Sequence, residues 1–220
     1  MKKWMAPLAL VVASCGSEPI DLGPGSGDVQ ALFGEWKQAD PVTGRVKVRI
    51  TAREDGTFLV DEVERNKQTV GTFSVVGQTL TFNRVKDSGE RISASAFFYA
   101  ADGTLAFGEG VLLAESQGAG FVRTWTGFEQ SETRDATGSV ISRRSETTRV
   151  TVRADGTISL ASEKTGLSST SAPTRSGREG RYTEIAEGKY RVTWAGETRS
   201  FVVRLVGGGA FATDESIFTR

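Results

Sequence analysis

Arg49-Ile50-Thr51-Ala52-Arg53-Glu54-Asp55-Gly56-Thr57 decides the fold, because the chain writes it twice. Arg149-Val150-Thr151-Val152-Arg153-Ala154-Asp155-Gly156-Thr157 repeats it 100 residues later, with apolar matching apolar at each inward position. In the first copy Val46, Val48, Ile50 and Ala52 alternate with Lys47, Arg49, Thr51 and Arg53. A period of two puts one set in a core and the other in water, which is the pattern of a half-buried β-strand. Asp55-Gly56 then signals a two-residue hairpin turn with positive φ at both positions. Phe58 and Val60 begin the return strand.

The same reading extends outward. Phe73, Val75, Val76-Gly77, Leu80 and Phe82 form a second hairpin, and Phe98, Asp102-Gly103, Leu105 and Phe107 a third. No long stretch has a period of 3.6; Val29-Gln30-Ala31-Leu32-Phe33 makes at most one helical turn before the first strand. In the second half, Gly180-Arg181-Tyr182-Thr183 answers Gly71-Thr72-Phe73-Ser74, and Trp125 answers Trp36. Leu80-Thr81-Phe82 is answered by Tyr190-Arg191-Val192 or by Val192-Thr193-Trp194, the register being open. The expectation is an all-β chain with two tandem antiparallel units, residues 29–116 and 117–220, related by internal duplication. Turns every 8–12 residues or so imply sandwiches or barrels, and a barrel also removes exposed strand edges.

The N-terminus reads differently. Met1-Lys2-Lys3 is basic, Trp4 to Val12 is mostly apolar, and Ala13-Ser14-Cys15 follows. The apolar run falls short of the roughly 20 residues that span a bilayer, and fits a secretory leader covering residues 1–14. Residues 15–28 are rich in Gly, Pro and Ser without periodicity, as in a flexible tether.

Val12-Ala13-Ser14-Cys15 resembles the lipobox of bacterial lipoproteins. The resemblance implies that Cys15, the chain's only cysteine, is lipidated after cleavage before it. Two or three acyl chains together hold a protein firmly on a membrane. With Gly16 rather than Asp after the cysteine, the resemblance implies the outer membrane where the source has two. Gly34-Glu35-Trp36, followed by hairpins carrying Asp-Gly-Thr-Phe and Gly-Thr-Phe-Ser, resembles lipocalin-like domains, whose Gly-x-Trp tryptophan packs across one end of an eight-stranded barrel. This second likeness covers residues 31–113 and is weaker in the second unit, where Arg123-Thr124-Trp125 lacks the glycine.

Composition excludes several chemistries. The chain holds no histidine and one cysteine, so Ser/His/Asp and Cys/His catalysis, intramolecular disulfides and cysteine zinc sites are ruled out. Lys plus Arg and Asp plus Glu number 27 each, which is no basic footprint for nucleic acid. Asp55, Asp102 and Asp155 are explained by turns, Asp214-Glu215 by solvation, and Gly207-Gly208-Gly209 by a flexible hairpin turn. No calcium loop is present, and neither a metal nor a cofactor is expected. Arg143-Arg144 with Arg149 and Arg153, like Arg49 and Arg53, reads as a strand face paired with acids such as Glu132 and Glu146.

The inward aromatic set, Trp36, Phe58, Phe73, Phe82, Phe98, Trp125, Tyr182 and Trp194, either fills the cores or lines a cavity for one small apolar ligand. Filled cores are the default, because burial alone rewards each such side chain by roughly 1.5–3 kcal/mol. The functional expectation is therefore a lipid-anchored cell-envelope protein acting as a non-catalytic binding or interaction module. Its partners would be the membrane through Cys15 and either an apolar molecule or an envelope protein. The alternatives are a lipocalin-like carrier and a carboxylate-dependent enzyme on envelope polymers.

Overall fold

The computed structural model describes residues 29–40, 42–101, 103–108, 110–116, 120–166 and 173–220. Cys15, its leader and the tether lie outside the described residues, as does Asp102. A short helix, α1 (Val29–Leu32), precedes sixteen strands: β1 (Gly34–Ala39), β2 (Val46–Ala52), β3 (Thr57–Glu62), β4 (Lys67–Val76), β5 (Thr79–Val85), β6 (Arg91–Ala101), β7 (Thr104–Phe107), β8 (Leu112–Ala114), β9 (Thr124–Arg134), β10 (Val140–Val152), β11 (Thr157–Thr165), β12 (Thr174–Ala186), β13 (Lys189–Trp194), β14 (Ser200–Val206), β15 (Ala210–Thr213) and β16 (Ile217–Thr219). The chain is all-β, and its antiparallel pairing closes on itself.

Strands β1 to β7 run in sequence order around a ring that β16 completes: β7 pairs β16, and β16 pairs β1. The other eight pair in the same manner. Strands β9 to β15 follow one another, and β8 joins β15 back to β9. Each ring is thus closed by a strand that lies next to the other ring's segment in the chain. Strand β8 follows the first seven strands yet serves the second ring, and β16 does the reverse. Packing agrees with pairing. Phe218 of β16 is buried with Trp36, Phe58, Leu80, Phe98 and Leu105 in the first core. Leu112 and Ala114 of β8 are buried with Trp125, Val150, Ile158, Tyr190 and Phe211 in the second. Because the boundary expected at residue 116 is crossed by both closing strands, the rings are bound into one sheet rather than strung in tandem.

A third apolar cluster lies between the rings. It is built from Tyr99, Ala106, Val111, Leu113, Val206, Ala210 and Ala212. Small side chains let the two walls approach closely. The triplet Gly207-Gly208-Gly209 is the β14–β15 turn, and close approach rather than flexibility explains two of its glycines. A Cβ on Gly209 would stand 2.4 Å from the Tyr99 ring, and one on Gly207 2.4 Å from the Ala101 Cβ. Tyr99 also donates from its hydroxyl to the Gly207 carbonyl at 3.2 Å.

The duplicated nonapeptide makes the same hairpin twice, though not the two-residue type that Asp-Gly suggests. The Gly56 amide donates to the Arg53 carbonyl at 3.0 Å, and the Arg53 amide to the Thr57 carbonyl at 2.9 Å. Of the two turn residues only Gly56, at φ +80°, has positive φ; Asp55 instead accepts the Thr57 amide on its carboxylate at 2.8 Å. Gly156 (φ +82°) and Asp155 repeat both features. The carboxyls of Asp55 and Asp155 are both held below the usual carboxylate range, first by the hydroxyls of Thr57 and Thr157.

The open register is now decided. Phe73 stands opposite Phe82, and Tyr182 opposite Val192, so Leu80-Thr81-Phe82 is matched by Tyr190-Arg191-Val192. Both tryptophans are anchored alike. The Trp36 indole N–H donates to the Leu32 carbonyl at 2.7 Å, and the Trp125 N–H to the Phe121 carbonyl at 3.0 Å. An arginine lies over each ring, Arg220 on Trp36 at 4.7 Å and Arg123 on Trp125 at 4.4 Å.

Candidate functional site

The two interiors are filled differently. In the second ring Phe121, from the segment before β9, occupies the centre. It stacks on Tyr190 with centroids 4.0 Å apart and meets Tyr182, Phe211 and Trp125 at 5.2, 5.4 and 6.3 Å. The residue in the same place in the first ring, judged by the tryptophan hydrogen bonds, is the smaller Leu32. There Phe58 is the hub, with Phe82, Phe73 and Phe107 at 5.3, 5.8 and 5.9 Å. This cluster leaves an apolar hollow of about 240 Å³ beside Phe58, Val60, Phe82, Ala94, Ala96 and Phe107.

Strand pairing explains where the hollow opens. Strand β6 pairs with β5 over Arg91–Phe97, and its other edge is divided. Residues Phe98–Ala101 pair with β7, whereas Arg91–Ala96 pair with β9. At the lower level the first ring therefore has β9 as its neighbour. Directly opposite residues on paired strands share a face. Ala94 lies opposite both Phe82 and Ser131, and Ala96 opposite both Leu80 and Glu129. The inner face of the first ring thus runs on to Ser131 and Glu129, and from them to Arg144 and Glu146 of β10. On β9 this is also the face of Trp125, by alternation, so the rings share one inner surface here.

That shared surface is charged. Arg144 Nη2 lies 2.9 Å from Glu146 Oε2 and 3.5 Å from Glu129 Oε1. Lys164 Nζ lies 3.0 Å from Glu146 Oε2, and the buried Ser162 hydroxyl donates to Glu146 Oε1 at 2.6 Å. Burial pushes the Glu146 carboxyl up, but the hydrogen bonds from Ser162, Lys164 and Arg144 outweigh it and bring it to about 2. Glu129 and Arg144, with Gln130 and Ser131, form the polar rim of the apolar hollow. The same Glu129 and Arg144 line a second hollow of about 250 Å³ toward the other ring, with Gly110, Leu112, Gly127 and Thr148.

Three larger openings, of about 630, 530 and 360 Å³, are surface grooves: the first runs over Gly71 and its neighbours on β4, β5 and β6, the second over Gly180 and its neighbours on β12 and β13, and the third over Thr147, Ala161 and Ser176 of β10, β11 and β12. The first is walled by charged side chains and by Val70 and Val85, both well exposed. Such a surface is open to water and lacks the aromatic enclosure that small-molecule sites show.

The sequence-derived set divides between the two interiors. Trp36, Phe58, Phe73, Phe82 and Phe98 gather in the first, and Trp125, Tyr182 and Trp194 in the second. Of these only Phe58 and Phe82 line the 240 Å³ hollow. Tyr182 donates its hydroxyl to the Arg153 carbonyl at 2.8 Å, and Trp194 carries Arg178 at 4.5 Å. Phe107, Ala94 and Ala96 were missed. Phe107 stood in the third hairpin's alternation, and the two alanines carried no signal of their own. Of the arginine row, Arg143 pairs across strands with Glu132 as expected, whereas Arg144 pairs with Glu146 along its own strand and Arg149 pairs with Glu115.

Among the described residues no group of three or more Cys, Asp or Glu side chains is placed to hold a metal ion. Nor is any helix there long and apolar enough to cross a membrane. The chain matches no protein-family model, no curated protein and no solved structure.

Proposed function

We propose that the chain is a lipid-anchored binding module of the cell envelope that holds a small apolar molecule in the first ring. The observation that carries this reading is the hollow at Phe58, Phe82 and Phe107, an aromatic-lined space in the first ring, whereas the centre of the second ring is occupied by Phe121. An apolar cavity of 150 Å³ is enough to take up benzene, so one of about 240 Å³ has room for an aromatic ring or a short acyl chain. The anchor rests on Val12-Ala13-Ser14-Cys15, and the outer-membrane placement on Gly16.

We further propose that the rings arose by duplication of a lipocalin-like unit. Support comes from the repeated Asp-Gly hairpins, the paired tryptophan anchors and the matched close approaches at Gly71 and Gly180. A carboxylate-dependent enzyme is the less favoured reading. Glu129 and Glu146 do face one hollow, but Glu146 is held ionised at about 2, the wrong state for a general acid.

Native mass spectrometry of the full chain purified from its own host tests the binding reading. The expected result is an added mass that disappears in the Ala94→Phe variant. A clean ligand-free mass under conditions that preserve apolar complexes would overturn it.

A further inference from the structure

We infer that the occupant of this hollow is a neutral amphiphile, with its apolar end among Phe58, Phe82 and Phe107 and an uncharged hydrogen-bonding head at the Ser131–Arg144 rim. The inference rests on the binding reading above and adds the chemical class of the ligand.

The lining changes character along its length. At one end stand Phe58, Val60, Phe82 and Phe107, followed by Ala94 and Ala96 of β6, and none of these offers a hydrogen bond from its side chain. At the other stand Gln130, Ser131, Glu129 and Arg144. A wholly apolar molecule of sufficient length would leave those polar groups dry, which costs free energy when buried groups lose their water. A head that donates and accepts hydrogen bonds replaces that water.

Charge balance decides the nature of the head. Glu129 and Arg144 of the rim belong to a set completed behind them by Glu146 and Lys164, two anions and two cations closed on one another. Glu146 takes contacts from Arg144, Lys164 and Ser162 together. An anionic head approaching Arg144 meets both glutamates, and a cationic head approaching Glu129 meets Arg144. Either ion competes with a formed pair: an anionic head that displaces a glutamate from Arg144 leaves a mostly buried carboxylate without that partner, and a cationic head must displace Arg144, itself half in water, from Glu129. A hydroxyl, amide or ester head breaks none of them. The neighbouring hollow beyond Glu129 and Arg144 gives such a head room to extend toward the second ring.

Three probes with the same six-carbon chain test this on the full chain: 1-hexanol, hexanoate and hexylammonium, titrated near pH 7 by calorimetry or NMR. The expected result is that 1-hexanol binds at least about tenfold more tightly than either ion. Ala94→Phe, or Ala96→Leu should the first variant fold poorly, weakens 1-hexanol by a similar factor. Arg144→Gln leaves the rim net negative and shifts preference toward hexylammonium by severalfold, a change that mere loosening of the fold would not produce. An ion that binds as tightly as the alcohol, with binding still abolished by Ala94→Phe, overturns the neutral-head inference and leaves the binding reading standing. Binding of none of the three, or binding untouched by both alanine variants, overturns the site itself.

Discussion

Phe218 stands directly opposite Leu105 in the β16–β7 pairing, although the whole second ring lies between them in the chain. Both are buried in the first core. The first ring is therefore finished only when the last strand returns to it, while β8 has already been given to the second ring. This reciprocal exchange joins the two rings into one continuous sheet.

Loss of that contact should open one ring before the other. Phe218→Ala should cost about 3–5 kcal/mol, the usual range for emptying a buried phenylalanine site. Hydrogen exchange resolves where the damage falls. Amides of β1 and β7 should lose protection first, and those of β11–β13 should keep theirs under mild denaturant. Equal loss in all of these strands would mean that β16 does not specifically close the first ring.

Gly71 and Gly180 should not tolerate even a methyl group. A Cβ would stand 2.3 Å from the Asn83 carbonyl at Gly71 and 2.5 Å from the Thr193 carbonyl at Gly180. Backbone on both sides must shift, so each Gly→Ala variant should lose about 1–3 kcal/mol. Gly166 has open space and serves as the control: Gly166→Ala should change stability by less than about 0.5 kcal/mol. Urea denaturation of the three variants gives the comparison, and a neutral Gly71→Ala would contradict the close approach.

Glu146 gives the fold a signature at acid pH. Its carboxyl titrates near 4.5 when unperturbed and at about 2 in the folded chain. The folded value lies below the unfolded one, so the stabilisation is complete above the unfolded value and is lost as pH falls toward the folded one. With the side chain 14% exposed, the contribution is on the order of 2 kcal/mol. The stability gap between wild type and Glu146→Gln should be widest near neutrality and shrink between about pH 4.5 and pH 2. A gap that does not change over that window would show that the carboxylate gains nothing from Ser162, Lys164 and Arg144.

Filling the hollow should stabilise the empty protein. Ala94→Leu adds apolar volume beside Phe58 and Phe82 where space exists, so the melting temperature should hold or rise by a few degrees. The same change in a filled core overpacks it: Ala114→Leu, at a position 1% exposed in the second core, should cost about 1–3 kcal/mol. Thermal melts of the two variants side by side distinguish an empty site from a packed one.

How much of this was legible in the sequence depended on how local the signal was. The alternation in β2 and β10, the Asp-Gly hairpins and the answering tryptophans are all carried by neighbours in the chain, and all were readable. The turn type was not, because Asp-Gly fits more than one hairpin and the Asp55 carboxylate, by taking the Thr57 amide, favours the form with a single positive φ. The exchange of β8 and β16 was hidden for a different reason. Leu112–Ala114 and Ile217–Thr219 are three-residue apolar strands, and nothing in them names a partner. The site was half visible. Phe58 and Phe82 showed themselves by period, but the space beside them is bounded by Ala94, Ala96 and a β6–β9 pairing that no local pattern encodes.

The most direct measurement is a crystal structure of the protein soaked with benzene. Difference density for one ring enclosed by Phe58, Phe82 and Phe107, with the Phe121 centre of the second ring unchanged, is the expected result. An empty first ring whose phenylalanines have closed over the space, or benzene seated among Phe121, Tyr190 and Trp125 instead, would contradict the proposed site.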